Sequence, residues 1–326
     1  MSKLAIVFKI LLIAAVLTGA YLGGINYAAS QALEKFKIDQ AISFIKWGAA
    51  VDVTTSGRYT ALALCSQSPD YLPEMNWLLA HGADVNGGAS SGHTPLIEMA
   101  QSYSDEAGEP KIADRLIRAG AKIDGVDQYG MTALALACSR GKSIIAAWLI
   151  RHGANVNSGN KADNMPFWCA IESAERPGSS SEAAIASLVN ILLDRGADPN
   201  GRSDTLAIFK ALPHPAIVAV LLDHGIRVDA IGHDGLTPIQ EAAKLGYADV
   251  IPILVAHHSD PNAPDRFGET PLAIARCVGE GGTIGDYKAT YHALLKAGAN
   301  PHTPSTPFST VAGPWPGAPP PPPVPH

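Results

Sequence analysis

Positive charge is scarce and scattered in this 326-residue chain: 24 Lys and Arg stand against 30 Asp and Glu, with no basic run beyond the first nine residues. A nucleic-acid binder needs a concentrated basic footprint to neutralise phosphates, so that class of partner is excluded. Cysteine is equally thin. Cys65, Cys138, Cys169 and Cys277 are far apart, and each reads as a small apolar core residue rather than half of a disulfide. Signatures of chemistry are missing too. Gly88-Ala89-Ser90-Ser91-Gly92 spells Gly-x-Ser-x-Gly, but a nucleophile elbow needs a buried strand before the serine, and a glycine-rich turn precedes it here. No Gly-Lys-Thr or Gly-Lys-Ser follows the glycine-rich stretch 279–285, so it reads as a loop and not as a phosphate cradle. His81, His152 and His224 are too widely spaced to share an ion, and the adjacent His257 and His258 diverge on a helix. No catalytic residue, metal ligand or cofactor is assigned, and a non-enzymatic protein is expected.

Long apolar runs are absent except at the start. Behind Lys3 and Lys9, Ile10 to Ala29 holds 20 residues without a charge, about the length that spans a bilayer. Thr18, Gly19, Gly23, Gly24 and Asn26 weaken its second half. The same stretch also fits a secretory signal, with an apolar Ile10–Leu17 centre and small residues at Thr18-Gly19-Ala20 and Ala28-Ala29-Ser30. As an uncleaved anchor or a cleaved signal, residues 1–30 are expected to leave the lysines inside and export the rest of the chain. The opposing reading makes the stretch a buried capping helix. At the other end, residues 305–326 contain Pro314-Trp315-Pro316 and the run Pro319 to Pro323, an extended polyproline tail without a core.

Between these ends the chain repeats. Gly82-Ala83-Asp84-Val85-Asn86 returns at Gly120–Asp124, Gly153–Asn157 and Gly196–Asn200, with weaker copies at 48–52, 225–229, 259–262 and 298–302. A second phrase follows most copies: Thr94-Pro95-Leu96, Thr132-Ala133-Leu134, Thr237-Pro238-Ile239 and Thr270-Pro271-Leu272. From Gly48 to Gly225 successive glycines lie 34, 38, 33, 43 and 29 residues apart, a period that belongs to stacked repeats. The threonines are placed to cap helices, and Pro95, Pro238 and Pro271 fall at the first helical position, where a missing N–H costs nothing. Each glycine follows a run of helical periodicity, such as Trp77-Leu78-Leu79-Ala80-His81, and is expected to stop it in a left-handed conformation. Asp84, Asn155 and Asp198 are placed to start the turn beyond.

These two phrases resemble the ankyrin repeat over residues 31–304. The resemblance implies an all-α solenoid of about eight units, each a β-hairpin and two antiparallel helices, after one N-terminal membrane-directed helix. Three repeats carry polar inserts between their helices, at Ser102–Pro110, Ser173–Glu182 and Val278–Asp286, read as solvated loops or as an accessory contact edge. The fifth repeat is short, with Pro213-His214-Pro215 joining its helices. The first is expected to be a cap with Phe44, Ile45 and Trp47 facing the second. In the last, Cys277, Val278 and Tyr291 lack a successor to cover them.

Such an array implies recognition of a protein through its hairpin tips and inner helices. Variable positions are where a partner would be read. At the tips these are His93, Gln128, Tyr129, Met131, His233, Asp234, Arg266 and Phe267; on the inner helices, Gln101, Arg140, Trp168, Glu172 and Lys244. Trp168 has a second reading as filler beside Phe167. With an export segment ahead of it, the array is expected at the outer face of a bacterial inner membrane or free in the periplasm. There it would act as an immunity protein that caps a toxin, or as a helper that protects an envelope enzyme. A hydrolase is the remaining alternative.

Overall fold

A computed structural model describes residues 21–34, 38–55, 59–88, 92–102, 108–159, 165–176, 181–200, 206–277 and 287–302. The first twenty residues, the centres of the three inserts, Ser90 and the proline-rich tail lie outside them. Among the described residues sixteen α-helices follow one another in pairs, and the chain divides into two compact units, residues 1–166 and 167–326.

The first unit holds four pairs: α1 (Tyr21–Glu34) with α2 (Ile38–Lys46), α3 (Ala61–Cys65) with α4 (Leu72–Ala80), α5 (Pro95–Gln101) with α6 (Glu109–Arg118), and α7 (Ala133–Ser139) with α8 (Ser143–Arg151). The inner helices α3, α5 and α7 stack on one another, and behind them α6 packs on α8. Leu62, Leu78, Leu96, Leu116, Leu134 and Leu149 are fully buried, so neighbouring pairs share one core. No pair could bury its apolar face alone.

Threonine starts the inner helices as the sequence predicts. Thr94 Oγ1 accepts from Ile97 N–H, and Thr132 Oγ1 from Ala135 N–H at 3.1 Å. A further copy, Thr60-Ala61-Leu62, caps α3 in the same way. It is harder to see in the sequence because a two-strand hairpin, β1 (Thr54–Thr55) against β2 (Tyr59–Thr60), sits in front of it. The outer helices end on glycines in the left-handed region, as at Gly82 (φ 86°) and Gly153 (φ 91°). Beyond the glycine, Asp84 and Asn155 each accept from the amide two residues on, at 2.9 Å. The last residue of the phrase then stitches one repeat to the next. Asp52 Oδ1 accepts from Asp84 N–H, Asn86 Oδ1 from Lys122 N–H and Asp124 Oδ1 from Asn155 N–H, at 2.8–2.9 Å. A side chain thus satisfies, one repeat later, an amide that a turn leaves open.

Helix α1 changes the reading of the N-terminus. Its described part runs from Tyr21, inside the expected export segment, and packs on α2 through Ile25, Ala29 and Ala32. Asn26 Oδ1 accepts from Ala50 N–H at 2.7 Å, and Ser30 Oγ donates to Thr54 O at 2.7 Å. Ile25, Asn26, Ala29 and Ser30 therefore belong to the first repeat, so the expected segment Ile10–Ala29 does not lie as a whole in a membrane. A cut at Ala28-Ala29-Ser30 would sever a packed helix; Thr18-Gly19-Ala20 lies outside the described residues. Among the described residues no helix is long and apolar enough to cross a membrane. Ile45 is buried at the cap, while Trp47 is 46% exposed and meets Phe44 edge-on. It lies past the end of α2, where the chain turns away at Gly48.

The second unit repeats the plan with α9 (Pro166–Ser173) and α10 (Glu182–Asp194), α11 (Ala207–Ala211) and α12 (Pro215–Asp223), α13 (Pro238–Leu245) and α14 (Ile251–Ala256), and α15 (Pro271–Cys277) and α16 (Tyr287–Lys296). Outer helices α10, α12, α14 and α16 pack in series around Leu188, Leu192, Ile217, Leu221, Leu254 and Leu294. Thr270 Oγ1 caps α15, while at α13 the cap closes from the other side, with Gln240 Oε1 accepting from Thr237 N–H at 2.8 Å. Asn262 stitches the last two repeats, accepting from Asn300 N–H at 2.7 Å and donating to Gly298 O. Tyr291, expected at an uncovered end, is buried: its ring turns into the packing of α16. The side chain of Cys277, and Val278 altogether, lie outside the described residues.

Candidate functional site

The fully described hairpin tips, at 126–132, 232–236 and 265–269, close through backbone hydrogen bonds and hold side chains out to solvent. In the first unit the tip Val126–Thr132 closes through a bridge between those two residues and an Asp127 N–H bond to Met131 O at 3.1 Å. Buried Asp127 organises it, its Oδ1 accepting from Tyr129 N–H at 2.8 Å and Met131 N–H at 2.9 Å. The backbone is thereby fixed while Tyr129 stands 64% exposed, with Val126 and Gln128 also exposed and Met131 half-buried. Arg140, half-buried, closes the C-terminal end of α7 in the same repeat.

The preceding tip packs against this one. A Cβ on Gly92 (φ 68°) would lie 3.0 Å from Asp127 Cα, so only glycine lets the two fingers meet. Next to it His93 is built in rather than displayed. The buried carboxylate of Glu98, on α5, accepts from His93 Nδ1, from Gln101 Nε2 and, across the repeat boundary, from Gln67 Nε2 at 2.9 Å. Gln101 Nε2 also lies 3.0 Å from His93 Nδ1, so the three side chains form one cluster. The His93 ring meets Tyr59 edge-on at 5.6 Å. His93 and Gln101 thus shape the inner face as parts of one network that the spacing of the repeats did not reveal.

In the second unit the same turn occurs twice. Asp265 Oδ1 accepts from Phe267 N–H and Glu269 N–H, each at 2.8 Å, just as Asp127 does. Phe267 is 56% exposed in the place Tyr129 holds, and the Arg266 guanidinium lies 4.7 Å from its ring centroid. At Gly232–Leu236 glycine replaces the turn-forming aspartate, and Asp234 occupies the aromatic position, beside exposed Ile231 and His233. Lys244, on α13, bonds Asp234 at 2.6 Å and Glu241 at 3.3 Å. The hydrogen bond and charge of Lys244 hold the exposed Asp234 carboxyl below its usual range. Partial burial works against the charge on Lys244, but these two acids outweigh it and raise its pKa. Arg266 also lies along Gly235, so charge and apolar surface alternate on these tips.

Every tip and inner-helix position singled out in the sequence retains access to solvent except Trp168. Trp168 is fully buried on α9, meeting Phe167 edge-on at 5.5 Å, and is core rather than contact surface. The helix register turns it inward beside Phe167, which stands where Leu134 stands in the phrase before it. Glu172, one turn on, is half-buried. The recurrent histidines are structural. His81 and His152 bond the carbonyls of Trp77 and Trp148 at 2.8 Å and stack on those indoles at 3.9 and 3.6 Å. His224 departs from this: its Nε2 reaches Asn190 Oδ1, one repeat back, at 2.9 Å.

Paired helices in series, joined by hairpins of which three described tips share one turn, define a helical-repeat recognition module. Its family is the ankyrin repeat. The family model for ankyrin repeats matches residues 104–203 and 179–265, and the chain belongs to that family. It is similar to the crystal structure of the human ASB11 ankyrin repeat domain, with a TM-score of 0.55 and 20% identity over 74% of this chain and 99% of that one. Among curated proteins it is 28% identical over 176 residues to the potassium channel AKT2/3 of Arabidopsis thaliana, covering 53% of this chain and 21% of the channel. It is 32% identical over 133 residues to ankyrin repeat protein OPG189 of Variola virus, 39% of this chain and 23% of the viral protein. The chain spans between a fifth and a quarter of the length of these two curated relatives.

Proposed function

We propose that this chain is a non-enzymatic scaffold that holds a protein partner on its hairpin tips and inner helices, at the outer face of a bacterial inner membrane. One observation carries the recognition half: Tyr129 is displayed on a tip whose backbone Asp127 has already immobilised. An aromatic presented on a fixed backbone loses little entropy on binding, which is what makes such residues anchors. Arg140 adds a guanidinium in the same repeat, and Phe267 with Arg266 gives the second unit an anchor of its own.

The location rests on Lys3 and Lys9 ahead of an uncharged stretch. In that compartment the partner class that best suits a binding-only protein is a toxin to be capped; an envelope enzyme needing a protective subunit is the second. A reporter active only after export, fused at Ala312, tests the location. Signal from the fusion supports it, and a silent reporter with the protein shown to be present refutes it. A hydrolase screen on the same chain separates the scaffold from an enzyme: turnover lost on changing Ser90 would refute the scaffold reading.

A further inference from the structure

We propose that the end of the first unit where α1 begins is a bilayer-facing surface, with Tyr27, Lys46 and Trp47 seated among lipid headgroups. This rests on the reading that the residues before Tyr21 engage a membrane. Helices α1 and α2 touch along their sides with only three residues between them in the chain, so they run antiparallel and the start of α1 lies beside the end of α2. The Asn26 bond to Ala50 N–H fixes that register. Asn26 is five residues into α1, so Tyr21 stands about 7 Å further out at a rise of roughly 1.5 Å per residue. The residues before Tyr21 therefore join the described backbone beside and beyond Lys46 and Trp47.

The side chains at this end have interfacial character. Tyr27 is 68% exposed and Trp47 46% exposed, and the Lys46 ammonium lies 5.3 Å from the Trp77 ring. Tyrosine and tryptophan settle at the headgroup level because one end of each ring system is apolar and the other polar. A lysine there lays its apolar stem along the rings and gives its charge to lipid phosphates. No charged side chain occurs from Ile10 through Leu33, so α1 does not oppose the approach of a membrane. Asp52, the acid nearest Trp47 in sequence, already accepts from Asp84 N–H. Exposed rings, a cation and the exit point of an uncharged segment thus share one end of the unit.

Nitroxide accessibility tests this in the full chain, reconstituted in phosphatidylcholine–phosphatidylglycerol vesicles. Labels are placed one at a time through Tyr27→Cys, Trp47→Cys and Tyr129→Cys, with the four native cysteines replaced by Ala. Labels at 27 and 47 should collide more with oxygen than with a water-soluble nickel complex, and the label at 129 should do the reverse. Aqueous behaviour at all three sites, in chain that resists carbonate extraction, would overturn the bilayer-facing surface and leave the anchor standing. Chain extracted by carbonate would overturn both. The unlabelled chain gives a second readout: brominated lipid should quench a larger fraction of its tryptophan fluorescence than in Trp47→Phe, and equal quenching would contradict the proposal.

Discussion

His258 takes a place that glycine fills in most other repeats, and with φ 71° it is the one non-glycine residue in the left-handed region among the described residues. It follows α14 where Gly82 follows α4, and the backbone is forced there by the same bonds: His258 N–H to Val255 O and Ser259 N–H to Leu254 O, both 3.0 Å. A Cβ in that conformation costs on the order of 1 kcal/mol. His258→Gly should therefore stabilise the protein by about 1 kcal/mol in urea unfolding; a loss of stability would show that the imidazole contributes more than its backbone costs. Cys65 makes a residue-scale prediction of another kind. Burial, with smaller repulsions from Glu74 and Asp39, pushes its thiol from 9.0 up to about 12. The folded state thus holds this proton more tightly than the unfolded state. The resulting stability is fully present below about pH 9 and fades as pH rises toward 12. At pH 8 a thiol reagent should leave Cys65 unmodified until denaturant is added; native-state labelling at the rate of an exposed thiol would contradict its burial.

At the scale of elements, one contact binds the third repeat to the fourth more firmly than packing alone. Glu109, fully buried at the start of α6, pairs with Lys142, which lies just before α8, and Ser102 links to both at 3.1 and 3.3 Å. Removing one partner strands a charge in the core, a loss of roughly 3–5 kcal/mol. Lys142→Met should cost that much, and adding Glu109→Met should return a large part of it; a single variant as stable as wild type would mean that water reaches the site. The repeat phrases announce the caps, the stopping glycines and the Asp or Asn turns, because each depends on local backbone chemistry that a few residues specify. They cannot announce Lys142 with Glu109, since these lie 33 residues apart at positions where a charge usually faces solvent. Nor do they announce the packing of Ile25 and Ala29, because an uncharged, small-residue helix reads alike whether it packs on α2 or enters lipid. Trp168 is hard to place for a related reason: helical period alone does not say which face is inward in a short helix between inserts.

For the molecule as a whole, the stability of each unit is distributed. Repeats are stitched by Asp52, Asn86, Asp124 and Asn262, and the described cysteines are buried thiols. Such an array tolerates change at its tips, and this separates recognition from folding. Tyr129→Ala with Arg140→Ala removes two exposed or half-exposed groups while Asp127 keeps the tip closed, so the fold should survive. Binding should weaken by about 2 kcal/mol or more, roughly thirtyfold. The most direct test uses the full-length wild-type chain and this double variant as parallel baits in envelope extract, with quantitative mass spectrometry of what each retains. The account predicts at least one protein held by the wild type and depleted at least tenfold from the variant, both baits having the same far-ultraviolet circular dichroism. The same proteins retained in equal amounts by both would contradict a recognition face at the Tyr129 tip.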